Sequence, residues 1–163
     1  MPKNSRLASW LQDAHSIEKI QSGILERLAD GLAAHRELAA GLQSHILQSK
    51  EHLNKVKLGL EQLKIQPRPG SLLSRATAGL FKALGDVADG ADPLRGLLLL
   101  HAIEHLEHAT YRALAEAAGT LGYEEIATDS EEIADQELDM ADWTEIQLLE
   151  LVRSSTDRLQ PAY

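Results

Sequence analysis

The sequence predicts an all-α protein: four long helices in a bundle, with one long connection that carries a short extra helix. Three observations predict it. Ala and Leu dominate a composition that is 44% hydrophobic but only 4% aromatic, a balance that favours helix over sheet. Apolar residues recur in steps of three and four along four long segments, the period of a helix with one buried face. Breaks fall at Asp30-Gly31, at Gln66-Pro67-Arg68-Pro69-Gly70, between Asp86 and Pro93, and at Gly122. A short turn, a long connection and a second short turn therefore join the long helices.

Each element has its own justification. The first helix, Asn4 to Ala29, carries Leu7, Trp10, Leu11, Ala14, Ile17, Ile24, Leu25 and Leu28 at helical spacing, with Asn4 or Ser5 as N-cap. The second, His35 to Lys64, directs Leu38, Leu42, His45, Ser49, His52, Val56 and Leu63 inward. Two prolines and a glycine end it. Ser71 to Val87 forms the short amphipathic helix, with Leu72, Leu73, Ala76, Leu80, Phe81 and Leu84 apolar. Asp86 to Pro93 reads as a loop, after which Asp92 caps and Pro93 opens the third long helix, ending at Leu121. The last helix starts at Tyr123 or Ser130 and runs to Arg158, with Ile133, Ala134, Glu137, Met140, Ala141, Thr144, Leu148 and Leu151 inward. At 163 residues one domain, 1–163, accommodates all of this.

Charge and cysteine content narrow the chemistry. With no cysteine, disulfides and thiolate sites are excluded, so a bound metal must be held by imidazole and carboxylate. Those ligands suit iron, manganese or zinc. The net charge is −9, and twelve acidic residues with no Lys or Arg fill Ala113 to Val152. Such a surface argues against nucleic acid as a partner, because phosphate binding needs clustered cations. No apolar run reaches the roughly 18 residues of a membrane span, and the first residues lack a secretory pattern. The expected compartment is the cytoplasm.

Each inward stripe nevertheless carries an ionisable group near mid-height: Glu18 on the first helix, His45 and His52 on the second, Glu137 on the fourth. The third is the most heavily loaded, since His101, Glu104, Glu107, His108 and Tyr111 follow one another along a face otherwise made of Leu97, Leu114 and Ala118. Buried carboxylates are costly unless paired or metal-bound. Their coincidence with imidazoles on four helices matches the donor set of dinuclear carboxylate proteins. His15, His35 and His105 are expected to face solvent.

Three blocks carry a resemblance. Asp13-Ala-His-Ser-Ile-Glu18-Lys19 resembles an Asp-Leu-Tyr-Asp-Ala-Glu-Lys signature. His45-Ile-Leu-Gln-Ser49-Lys-Glu-His52 is similar to a His-Leu-Glu-Glu-Thr pattern, and Glu104-His105-Leu-Glu107-His-Ala-Thr-Tyr111 to Glu-His-Tyr-Glu-x-x-x-Tyr. These are blocks of the ferritin-like stress-response proteins of the YciE/YciF type. The resemblance implies a ferritin-like bundle, usually a homodimer, with a dinuclear site assumed to hold iron. It assigns Glu18, Glu104, Glu107 and Glu137 as carboxylate ligands and His52 as an imidazole ligand. The broader ferritin-like pattern has Glu-x-x-His on the second and fourth helices. Here Ser49 and Met140 stand at the missing ligand positions, and His45, His101 and His108 are the available substitutes.

Two functions follow as expectations. The first is a metal-dependent redox or stress-protection protein, with oxidase-, peroxidase- or ferroxidase-like activity. In it Glu104 and Glu107 bridge two irons, Glu18 and Glu137 are terminal, and Tyr111 donates a hydrogen bond or an electron. The second is a metal-free helical dimer acting through protein contacts. Its core would instead hold hydrogen-bonded pairs such as Glu104 with His52 or His45.

Overall fold

The computed structural model describes residues 4–68, 72–90 and 92–157. Five helices account for nearly all of them: α1 Ser5–Gly31, α2 Arg36–Gln62, α3 Leu72–Gly90, α4 Pro93–Thr120 and α5 Glu124–Asp157. This is the expected ferritin-like four-helix bundle, formed by α1, α2, α4 and α5, with α3 in the crossover.

Cross-helix contacts fix the helix directions. On α1 and α4, Gln21 meets Glu104 while Tyr111 meets Glu18, so these helices are antiparallel. Between α2 and α5 the pairs are His52 with Gln136, Lys55 with Glu132 and Gln62 with Glu125, again antiparallel. α3 lies against α1 and α4.

Punctuation acts locally as read. The Asp92 carboxylate accepts a hydrogen bond from the Arg95 backbone N–H at 3.2 Å, with Pro93 in the first turn; such a cap contributes about 1 kcal/mol. Gly122 adopts φ +80°, a left-handed position that glycine takes without a Cβ clash. The Tyr123 N–H then reaches back to the Ala118 carbonyl at 2.9 Å.

One boundary differs from expectation. The segment from Asp86 to Gly90, read as loop, continues α3. Asp and Gly weaken a helix by at most about 1 kcal/mol each, and tertiary contacts outweigh that. Ala88 is buried, and Arg27 on α1 pairs with Asp89 at 3.1 Å. Of the two starts read for the last helix, Tyr123 and Ser130, the earlier holds to within a residue, since α5 is continuous from Glu124. The expected contributions of Ser71, Leu72, Leu73, Ala76 and Arg158 lie outside the described residues or side chains.

The core has two apolar parts. One surrounds Leu25, Leu28, Leu42, Leu84, Leu97 and Leu100 toward the end that α3 closes. The other gathers Leu7, Leu11, Leu60, Leu114, Ile126 and Ile133 toward the opposite end. Glu18, His45, His52, Glu104, Glu107 and Glu137 occupy the positions between them along the helices and are at most 1% exposed.

Candidate metal centre

Four helices deliver these groups to one place. His45 and His52 are seven residues apart on α2 and so share its inward face. His52 Nδ1 lies 2.9 Å from Glu137 Oε1 and 3.4 Å from Glu18 Oε1. His45 Nε2 lies 3.2 Å from Glu104 Oε1 and 3.7 Å from Glu137 Oε2. Two groups of three convergent donors result, Glu18–His52–Glu137 and His45–Glu104–Glu137, the donor atoms of each within 4.8 Å of one another. Glu137 belongs to both.

The donor set fits bound cations on independent grounds. Ten buried side-chain polar atoms lack a hydrogen bond among the described residues: two each on Glu107 and Glu137, one each on Glu18, Gln21, His45, Ser49, His52 and Glu104. Buried polar atoms are nearly always satisfied. Four of the ten, His45 Nε2, His52 Nδ1 and both Glu137 oxygens, take part in the ion pairs above. The other six, with four carboxylate oxygens among them, are the pattern left around cations that organise carboxylates.

Electrostatics show the same tension. Burial pushes the Glu104 carboxyl up to about 8, with the Glu18 charge adding to the effect. Glu137 rises to about 7 through burial and the Glu104 charge. Glu107 goes well above the carboxylate range through burial and then its three acidic neighbours, and burial likewise raises Glu18. Burial lowers His45. It opposes the charge on His52 too, but the Glu137 and Glu18 carboxylates paired with the ring outweigh it and carry this imidazole to about 10.

The structure thus brings together Glu18, His45, His52, Glu104 and Glu137, with Glu107 electrostatically coupled to them. Bridging was expected of Glu104 and Glu107, whereas the residue common to both groups is Glu137. Tyr111 is 1% exposed and donates to Glu18 Oε1 at 2.6 Å; it holds a carboxylate of the cluster. Ser49 is buried on α2, between His45 and His52 in sequence, and Met140 packs with the apolar core.

His101 and His108 are not in either group. Both are half-buried where α4 meets α5, and their Nδ1 atoms lie 3.0 Å and 2.8 Å from the backbone carbonyls of Ala141 and Ala134. Seven residues separate the histidines and seven separate the carbonyls, so the two contacts join antiparallel helices at equivalent points. His15, expected in solvent, is 9% exposed. Burial and then Lys57 on α2 lower its pKa, so it faces the neighbouring helix. His35 and His105 are exposed as expected.

Sequence reading missed two glutamines. Gln21 donates to Glu104 Oε1 at 2.9 Å, and Gln136 lies 2.8 Å from His52 Nε2. Neutral amides leave no mark that distinguishes them from other polar residues flanking a stripe.

Among solved structures, a protein of Xanthomonas campestris has a TM-score of 0.79 and 27% identity, covering 99% of this chain and 100% of its own. The Escherichia coli stress protein YciF has a TM-score of 0.82 at 19% identity, over 94% of this chain and 99% of its own. YcfI of Rhodopseudomonas palustris has a TM-score of 0.72 at 21% identity, over 89% and 94%. Residues 3–156 match the family described as a domain of unknown function, DUF892. The bundle, the sequence blocks and this match converge: the chain belongs to the DUF892 family, the YciE/YciF-type group that its motifs resemble.

Proposed function

We propose that this protein binds two divalent transition-metal ions at mid-bundle and serves a redox role in stress protection. One ion would be held by Glu18, His52 and Glu137, the other by His45, Glu104 and Glu137, with Glu107 completing the carboxylate set. The observation that carries this reading is the sharing of Glu137 by two buried groups of convergent donors, in a cluster where carboxylate oxygens outnumber the hydrogen-bond donors available to them. Charge supports it. Four glutamates offer a charge of −4, which two divalent cations balance while both imidazoles stay neutral.

Iron is the first choice and manganese or zinc the alternatives, because carboxylate-rich sites with few imidazoles suit these ions. An iron pair would supply one-electron redox chemistry toward dioxygen or peroxide, of an oxidase, peroxidase or ferroxidase kind. The chain's own part is to exclude water with the apolar parts of the core and to hold Glu18 through Tyr111. The link to stress rests on the name of the fold neighbour YciF. Metal analysis of freshly purified protein tests the reading. About two equivalents per chain support it, and no uptake of iron, manganese or zinc at micromolar levels sinks it.

A second reading has its own observation. His45 faces Glu104, and His52 faces Glu18 and Glu137, the kind of pairing a structural dimer would keep in its core. In that case chelation leaves stability unchanged and Glu104→Gln is nearly neutral. Either reading is compatible with a cytoplasmic homodimer, for which exposed Ile146, Leu149 and Val152 near the end of α5 give a second copy something to cover. Among the described residues no helix is long and apolar enough to cross a membrane.

A further inference from the structure

A chain of polar contacts leads from the buried His52 ring to the surface between α2 and α5. His52 Nε2 is 2.8 Å from Gln136 Oε1. The Gln136 amide nitrogen donates to Glu132 Oε1 at 3.3 Å. The other oxygen of Glu132 accepts from Lys55 Nζ at 2.6 Å, and that ammonium also lies 3.5 Å from Asp129. Glu132 is an exposed residue, with a side chain 54% accessible.

The direction of this chain is set from its outer end. A carboxylate only accepts, and the Lys55 hydrogen bond holds Glu132 below the ordinary carboxyl range, so Glu132 is an anion at neutral pH. Gln136 must turn its NH2 toward Glu132 and therefore its carbonyl oxygen toward His52. That oxygen has nothing to donate, so the ring nitrogen facing it carries the proton. The opposite nitrogen, Nδ1, then points inward between the Glu137 and Glu18 carboxylates, 2.9 Å and 3.4 Å from their Oε1 atoms, where a cation held by those carboxylates would replace the ion pair.

We infer that Gln136, oriented by Glu132 and Lys55, is a positioning residue that fixes the rotation and tautomer of His52 so that its Nδ1 lone pair meets the metal. The inference rests on the metal-binding reading and adds a part that neither composition nor periodicity marks. Partners that orient a ligating imidazole typically account for a 10- to 100-fold difference in metal affinity. His45 has a weaker counterpart: its inward nitrogen is Nε2, and its Nδ1 lies 3.4 Å from Gln48 Oε1.

Zinc is the probe, because it is diamagnetic and allows ring-nitrogen NMR on histidine-labelled full-length protein. In the unsubstituted protein, zinc should shift Nδ1 of His52 and leave a protected Nε2–H signal. Gln136→Leu should lose that signal and weaken one of two zinc sites about 10- to 100-fold. Glu132→Ala lies on the surface, where folding is not at stake, and should shift both readouts in the same direction by less. Exchanging the two groups, Gln136→Glu with Glu132→Gln, keeps an acceptor facing His52 and should recover most of the loss. Unchanged affinity and an unchanged Nε2–H signal in Gln136→Leu overturn the inference while leaving metal binding intact, and so does an exchanged pair as weak as Gln136→Leu. A protein that binds no zinc, manganese or iron overturns both.

Discussion

Removing metal should make this protein lose stability as pH rises from 5 to 8.5, the reverse of a protein held by ordinary carboxylate salt bridges. Glu104 is raised from 4.5 to about 8 by burial and Glu137 to about 7. A carboxyl whose folded pKa exceeds its unfolded value contributes stability that is complete below about 4.5 and is lost as pH climbs through the folded value. His52 adds to the trend, because its contribution is present below 6.5 and fades toward about 10. At about 1.4 kcal/mol per pH unit, Glu104 taken alone corresponds to roughly 5 kcal/mol. In a domain of this size that is on the order of 10–20 °C in Tm.

Metal reverses the slope, since its ligands must be deprotonated and its affinity therefore grows with pH. Thermal unfolding in EDTA and in excess manganese should give melting temperatures close together at pH 5 and well apart at pH 8. Repulsion across a surface of net charge −9 would also destabilise at high pH. It is screened by 0.5 M salt, whereas the buried cluster is not. Glu104→Gln removes one of the titrating groups and should make the EDTA profile shallower. An EDTA-treated protein as stable at pH 8 as at pH 5 in high salt, or a metal-dependent gap that fails to widen, refutes the reasoning.

Other substitutions probe single features. Glu137→Ala should abolish both metal positions, while Glu18→Ala should leave the one formed by His45 and Glu104, and metal-to-protein ratios read the difference. Tyr111→Phe keeps the buried ring but removes its bond to Glu18; it should cost about 1.5–3 kcal/mol in chemical denaturation, the range for a hydrogen bond to a charged group. Gly41→Ala drives a methyl into the Trp143 ring. The indole must move, so fluorescence should shift and stability fall by about 1–3 kcal/mol.

How much of this was legible in the sequence depends on the physics at each position. The long helices were legible because their burial follows a single period, and α4 had Asp92 and Pro93 to mark its start. The end of α3 was not, because local propensity at Asp86, Asp89 and Gly90 opposes the helix that packing of Ala88 enforces. Glu18, His45, His52, Glu104, Glu107 and Glu137 stood out as charge on an apolar face. His101 and His108 shared that signal, since a 3.6-residue period does not separate a core position from the seam beside it. Their ring nitrogens satisfy backbone carbonyls of α5 instead. The small side chains of Ala134 and Ala141, unremarkable in sequence, mark where those carbonyls are reached. Gln136 had no sequence signature, because its role depends on three partners on two helices.

Two ions sharing Glu137 in the middle of the bundle is the arrangement on which the proposed function depends. Anomalous diffraction from crystals grown with manganese tests it directly. Two peaks per chain are expected, one against Glu18 and His52 and one against His45 and Glu104, with Glu137 touching both. Peaks confined to the acidic surface of α5, or an interior without any, would contradict it.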